Sequence, residues 1–143
     1  MNDGRKKILY VDDDQASLAM MERWISTNES SFDVTVVDSI EAALDAVGRC
    51  SFDLFIFDYC LAGGTGIGLC REIRALGSTK PVIMFSAMGR QVDFDSAKRA
   101  GANDYLIKPD DLDLVVPTIR RLLDLRPKLL ADKIRPRAAR AIL

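Results

Sequence analysis

Residues 54–66 read LFIFDYCLAGGTG. Leu54 to Phe57 is an unbroken apolar run, rich in residues that favour extended backbone, and it ends at Asp58. A strand apolar on both faces belongs inside a sheet covered on both sides, so this run predicts the central strand of a parallel sheet. The glycines at 63, 64, 66 and 68 mark a loop after it. Leu69, Ile73 and Leu76 then place one apolar face on a helix that Gly77 closes.

The same alternation extends in both directions. Upstream, Ile8 to Val11 is a second short apolar run, and Asp14 is placed to cap a helix carrying Leu18, Met21 and Ile25 through about Thr27. Phe32 to Val37 predicts a strand. Ser39 then caps a helix with Ile40, Ala43, Leu44 and Val47 on its apolar face, and Gly48 marks its end. Downstream, Pro81 opens a strand from Val82 to Phe85 that stops at Ser86. A weakly patterned helix runs to Ala100 with Gly101 as its cap, and Tyr105 to Ile107 form the last strand before Lys108 and Pro109.

A final helix is expected from about Asp110 or Asp111, whose charges suit a helix N-terminus, through Leu122 and Leu123. Pro117 lies inside that span, so the helix either starts later or kinks. Five strands alternating with five helices imply a doubly wound α/β sheet with right-handed crossovers. Such sheets bind ligands beyond the carboxyl ends of their strands.

Those ends carry Asp12 and Asp13 after the first strand, Asp58 after the third, Ser86 after the fourth and Lys108 after the fifth. Converging carboxylates repel one another by about 3 to 4 kcal/mol per close pair at an effective dielectric near 20, so a cation is needed among them. Mg2+ suits such a site, because it takes hard oxygen ligands, keeps several waters and is held by one or two carboxylates plus phosphate oxygens. With Mg2+ and Lys108 offsetting its charge, Asp58 could attack phosphorus and form an aspartyl phosphate, and Ser86 could bond a phosphoryl oxygen.

Composition narrows the classes. The chain has 143 residues, of which 48% are hydrophobic, with 20 basic against 21 acidic residues and no histidine. That fits one compact domain and excludes Ser-His or Cys-His catalysis, an HExxH zinc site and a phosphohistidine on this chain. Cys50, Cys60 and Cys70 form no CxxC pair, which argues against a disulfide framework or structural zinc and suits a reduced cytoplasm. The charged start MNDGRKK holds no signal peptide or membrane span. The near-neutral total is uneven: Arg126 to Leu143 carries +5 and the first 125 residues carry -6.

The segments ILYVDDD, LFIFDYCLAGGTG, PVIMFSA and GANDYLIKP, in that order, resemble the four signatures of the response-regulator receiver domain of two-component signalling, chemotaxis-regulator-like in form. The resemblance covers about residues 5–125. It implies a flavodoxin-like (βα)5 fold with strand order 2-1-3-4-5, followed by a basic tail or linker, residues 126–143. It also implies roles: Asp58 as phosphoacceptor, Asp13 and Asp58 as Mg2+ ligands, Asp12 acting on the metal through water, and the Cys60 carbonyl as a backbone ligand. Ser86 and Tyr105 would be the switch pair, and Lys108 the lysine of the family pattern, joined to Pro109 by a peptide bond usually cis in these proteins. The phosphoryl donor would be a histidine kinase or a histidine-containing phosphotransfer protein. The readout would be the face formed by the fourth helix, fifth strand and fifth helix, with a homodimer through that face as one outcome.

The sequence departs from the family pattern at Ala62 and Thr65, where proline and aspartate are frequent, and at Asp110, which puts an acid after Lys-Pro near the output face. Cys60 and Met88 flank the site, and their weakly polar side chains lead us to expect a long-lived phosphorylated state. Taken singly, Asp12 to Asp14 is a turn and a helix cap, Asp58 an ordinary strand end, Ser86 a cap and Tyr105 a core residue. Their joint placement at the strand ends favours a phosphorylated switch rather than a metabolic enzyme. The other readings are a constitutive interaction module and a flavodoxin-like redox protein, the latter lacking a flavin-phosphate loop. For the tail, a linker or helical extension ranks above nucleic-acid binding.

Overall fold

The computed structural model describes residues 4–125; the basic tail identified in the sequence lies outside them. Five strands, β1 (Lys6–Val11), β2 (Phe32–Val37), β3 (Leu54–Phe57), β4 (Val82–Ser86) and β5 (Asp104–Ile107), alternate with α1 (Gln15–Asn28), α2 (Ile40–Arg49), α3 (Gly66–Ala75), α4 (Gln91–Ala100) and α5 (Val115–Leu122). The strands pair in parallel in the order β2-β1-β3-β4-β5, the order expected from the sequence. Between β3 and α3, Cys60–Leu61 and Gly64–Thr65 form a small antiparallel pair.

Alternation along each strand divides the core in two. Leu9, Val11, Phe55, Phe57, Val82 and Met84 face one side, with Leu69, Ile73 and Ala97 from α3 and α4. Ile8, Tyr10, Leu54, Ile56, Ile83 and Phe85 face the other, with Leu18, Met21 and Ile25 from α1 and Val115 and Ile119 from α5. Every residue of β3 is buried, as the central strand of a doubly covered sheet must be.

Several boundaries differ from the sequence reading for local reasons. Gly48 lies inside α2, which ends one residue later with Cys50 as its cap. Gly66 and Gly68 belong to α3, because Thr65 caps that helix by accepting the Gly68 N–H at 3.0 Å. Leu76 is 68% exposed at the end of α3, where the chain turns away from the apolar face. Neither Asp110 nor Asp111 starts the last helix. A 3-10 turn over Leu112–Leu114 comes first, and the buried Asp111 carboxylate accepts the Ile107 N–H at 2.9 Å. Pro117 therefore falls in the first turn of α5, where a helical N–H has no intrahelical partner, and no kink is required. Among the described residues, no helix is long and apolar enough to cross a membrane.

Candidate functional site

Strand register assembles the site. Val11 stands opposite Phe57, so Asp12 and Asp58 leave the sheet side by side, and the Asp58 N–H donates to the Val11 carbonyl at 3.0 Å. Oxygens of Asp12, Asp13 and Asp58 lie within 4.8 Å of one another. Asp12 is fully buried, Asp13 is exposed and Asp58 is intermediate, which makes a pocket with a dry floor and a wet mouth. At such separations each pair repels by about 3 kcal/mol for a dielectric near 20, less for Asp13, which water screens.

Lys108 reaches this cluster from β5. Ser86 pairs with Ile107 across β4 and β5, and the Lys108 N–H donates to the Ser86 carbonyl at 2.9 Å, which places the side chain over the pocket. Its Nζ stands 2.6 Å from Asp12 Oδ2 and 3.3 Å from Asp58 Oδ2. Burial alone would depress the Lys108 ammonium, but the Asp12 hydrogen bond and the two negative charges outweigh it and hold the proton more tightly than usual. Asp58 moves the other way from a free carboxylate. Burial and the Asp12 charge raise its pKa despite Lys108 and the Tyr59 N–H that its Oδ1 accepts at 2.8 Å. One ammonium does not neutralise three carboxylates, and an all-oxygen donor set with an open side fits a divalent cation such as Mg2+.

Ser86 and Tyr105 meet at the main chain of Met88. Buried Ser86 accepts the Met88 N–H on its Oγ at 3.2 Å, while the Tyr105 hydroxyl donates to the Met88 carbonyl. The Tyr105 ring is turned inward, 6% exposed, with its centroid 4.9 Å from that of Phe94 in an edge contact. Burial pushes its phenol well above the usual range. Cys60 is exposed beside the pocket, and the Lys108–Pro109 peptide bond is cis.

The family profile described as the response regulator receiver domain matches residues 8–120. The chain belongs to that family. The DNA-binding response regulator MtrA of Mycobacterium tuberculosis is 38% identical over 123 residues, covering 86% of this chain and 53% of that protein. The chain thus spans about half the length of the curated relatives it matches. The receiver domain of the Francisella response regulator 1452 superposes with a TM-score of 0.78 at 25% identity, covering 84% of this chain and 98% of that one. A CheY-like receiver domain protein of Methanospirillum hungatei shares the fold, with a TM-score of 0.77 at 24% identity over 90% of this chain and 98% of its own. The module is a phosphoacceptor of two-component signalling, a signalling switch, and these likenesses do not favour a constitutive interaction module.

Two features of this receiver escaped the sequence reading. The Tyr10 hydroxyl rises from the core on the α1 and α5 side and donates to Asp12 Oδ2 at 2.5 Å. An aromatic in an apolar run reads as core, and only its register two residues before Asp12, on the same face of the strand, hints at this contact. Gly66, one of the glycines that mark the loop in the sequence, is there for space. A Cβ there would stand 2.1 Å from the Asp58 carbonyl oxygen and 2.9 Å from Met84 Cε, so α3 starts hard against the main chain of Asp58.

Proposed function

We propose that Asp58 accepts a phosphoryl group from a phosphohistidine on a histidine kinase or phosphotransfer protein, with Mg2+ as cofactor. What carries this reading is the Asp12, Asp13 and Asp58 oxygens gathered within 4.8 Å with Lys108 across them. Asp13 and Asp58 would hold the cation directly, with the Cys60 carbonyl, and Asp12 would act through water. Bound there, Mg2+ would offset the charge of the incoming phosphate. The Asp58 carboxylate attacks phosphorus, the bond from phosphorus to the donor nitrogen breaks, and the imidazole leaves. Lys108 moves from Asp12 and Asp58 to the phosphoryl oxygens. On this reading the chain catalyses its own phosphorylation and dephosphorylation.

Ser86 then turns to the phosphoryl oxygen and releases the Met88 N–H. Tyr105 donates to the carbonyl of that same residue, so the change reaches the α4, β5 and α5 face and shifts the population that binds an output partner or a second copy. We further assign residues 5–125 to the receiver, residues 126–143 to a linker or extension, and the chain to the cytoplasm, in keeping with its three free cysteines. The weakly polar Cys60 and Met88 side chains would position an attacking water poorly and lengthen the life of the phosphorylated state.

The test is incubation with a small-molecule phosphodonor and Mg2+, read by intact mass, and with beryllofluoride, read by the spectrum of Tyr105. One added phosphoryl group is expected on the native chain, none after Asp58→Asn and none in chelator. A native chain left unmodified would return the interaction-module reading.

A further inference from the structure

The Tyr10 hydroxyl is a polar group that the switch described above does not use. The ring belongs to the apolar cluster of Ile8, Leu18 and Met21, and no part of the residue is exposed. Phenylalanine would fill the same space without a buried O–H that needs an acceptor. That acceptor is Asp12 Oδ2, at 2.5 Å, the same oxygen that receives Lys108 Nζ at 2.6 Å. Asp12 Oδ1 accepts the Asp14 N–H at 3.0 Å, so the fully buried carboxylate is held through both oxygens.

We propose that Tyr10 is a positioning residue of the cation site, acting through Asp12. Its O–H fixes the carboxylate in the pocket floor and absorbs part of the charge that Asp12 presents to Lys108 and to a divalent cation. Each hydrogen bond donated to a carboxylate stabilises the ionised form and spreads its charge, so an oxygen shared by two donors is a weaker acceptor for each. Without the hydroxyl, Asp12 keeps its burial but loses a donor, and the empty pocket holds more uncompensated negative charge. A cation entering it then gains more. Removing this group should therefore tighten cation binding, although it lies beside the site and touches no ligand itself. The inference rests on the Mg2+-dependent reading given above.

The experiment is calorimetric titration of the full chain with Mg2+ alone, without phosphodonor. Tyr10→Phe, shown folded by circular dichroism, should lower the Kd for Mg2+ about fivefold, the size of one typical net hydrogen bond. Tyr10→Leu, which also lacks the hydroxyl, should move it in the same direction. In an Asp12→Asn background, the effect of Tyr10→Phe should shrink below about twofold, because the residue it acts through has lost its charge. An unchanged or weakened Kd in Tyr10→Phe, or a shift of equal size with and without Asp12, overturns the proposal while leaving the proposed function standing. Absence of Mg2+ binding by the native chain would overturn both.

Discussion

The two edges of the sheet handle charge in opposite ways. At the amino edge, the Arg74 guanidinium donates to the carbonyls of Gly101, Ser78 and Lys80 and to Asn103 Oδ1, which also accepts the Val82 N–H at 2.9 Å. One cation meets several neutral acceptors, and the ends of α3 and α4 are tied to the starts of β4 and β5. At the carboxyl edge, three carboxylates gather and one ammonium bridges two of them, Asp12 and Asp58, while burial together with the Asp12 charge raises the Asp58 pKa. The first arrangement is complete as it stands and serves as an anchor. The second is left short of positive charge, which is what would let a cation and a phosphoryl group change its energy.

The contrast can be broken most severely at Gly66. Gly66→Ala should cost about 3 to 5 kcal/mol in chemical denaturation, because its Cβ meets main-chain oxygen that cannot turn aside. Arg74→Ala should cost about 2 to 4 kcal/mol in the same measurement, yet leave the Kd for Mg2+ unchanged, since its bonds lie at the far edge. Loss of Mg2+ affinity in Arg74→Ala would show that the two edges are not independent. Mg2+ at ten times its Kd should stabilise the native chain by about 1.4 kcal/mol and Asp58→Asn by much less, read as a shift in melting temperature.

The smallest effect concerns pH. The Arg90 hydrogen bonds hold the Asp93 carboxyl below the usual range, so its contribution is present above the ordinary carboxylate pKa and is lost as pH falls through the lowered folded value. Amide exchange at the start of α4 should therefore accelerate only in acid, and Asp93→Asn should remove that acid step. An unaltered acid step in Asp93→Asn would assign it to another carboxyl.

Much of this was legible in the chain itself. Apolar runs that end at aspartate marked β1 and β3, and their position beyond the strands placed Asp12 and Asp58 on one edge. Ser39 and Asp14 cap α2 and α1 by accepting the Ala42 and Ser17 N–H groups, as their residue types led us to expect. Legibility failed where contacts are distant in sequence or backbone geometry is irregular. Arg74 carries no local sign that its acceptors lie at 101 and 103, and Asp111 looked like a helix N-terminus when it serves instead as an acceptor for Ile107.

The sequence by itself determined the alternation of strands and helices, the parallel sheet and the acidic strand ends, because burial periodicity and caps are written within a few residues of where they act. Tertiary structure alone decided how the charges meet. Parallel register set Asp12 beside Asp58 and brought Lys108 across from 96 residues away. Those distances set the strength of every electrostatic interaction in the pocket, and no local pattern encodes them.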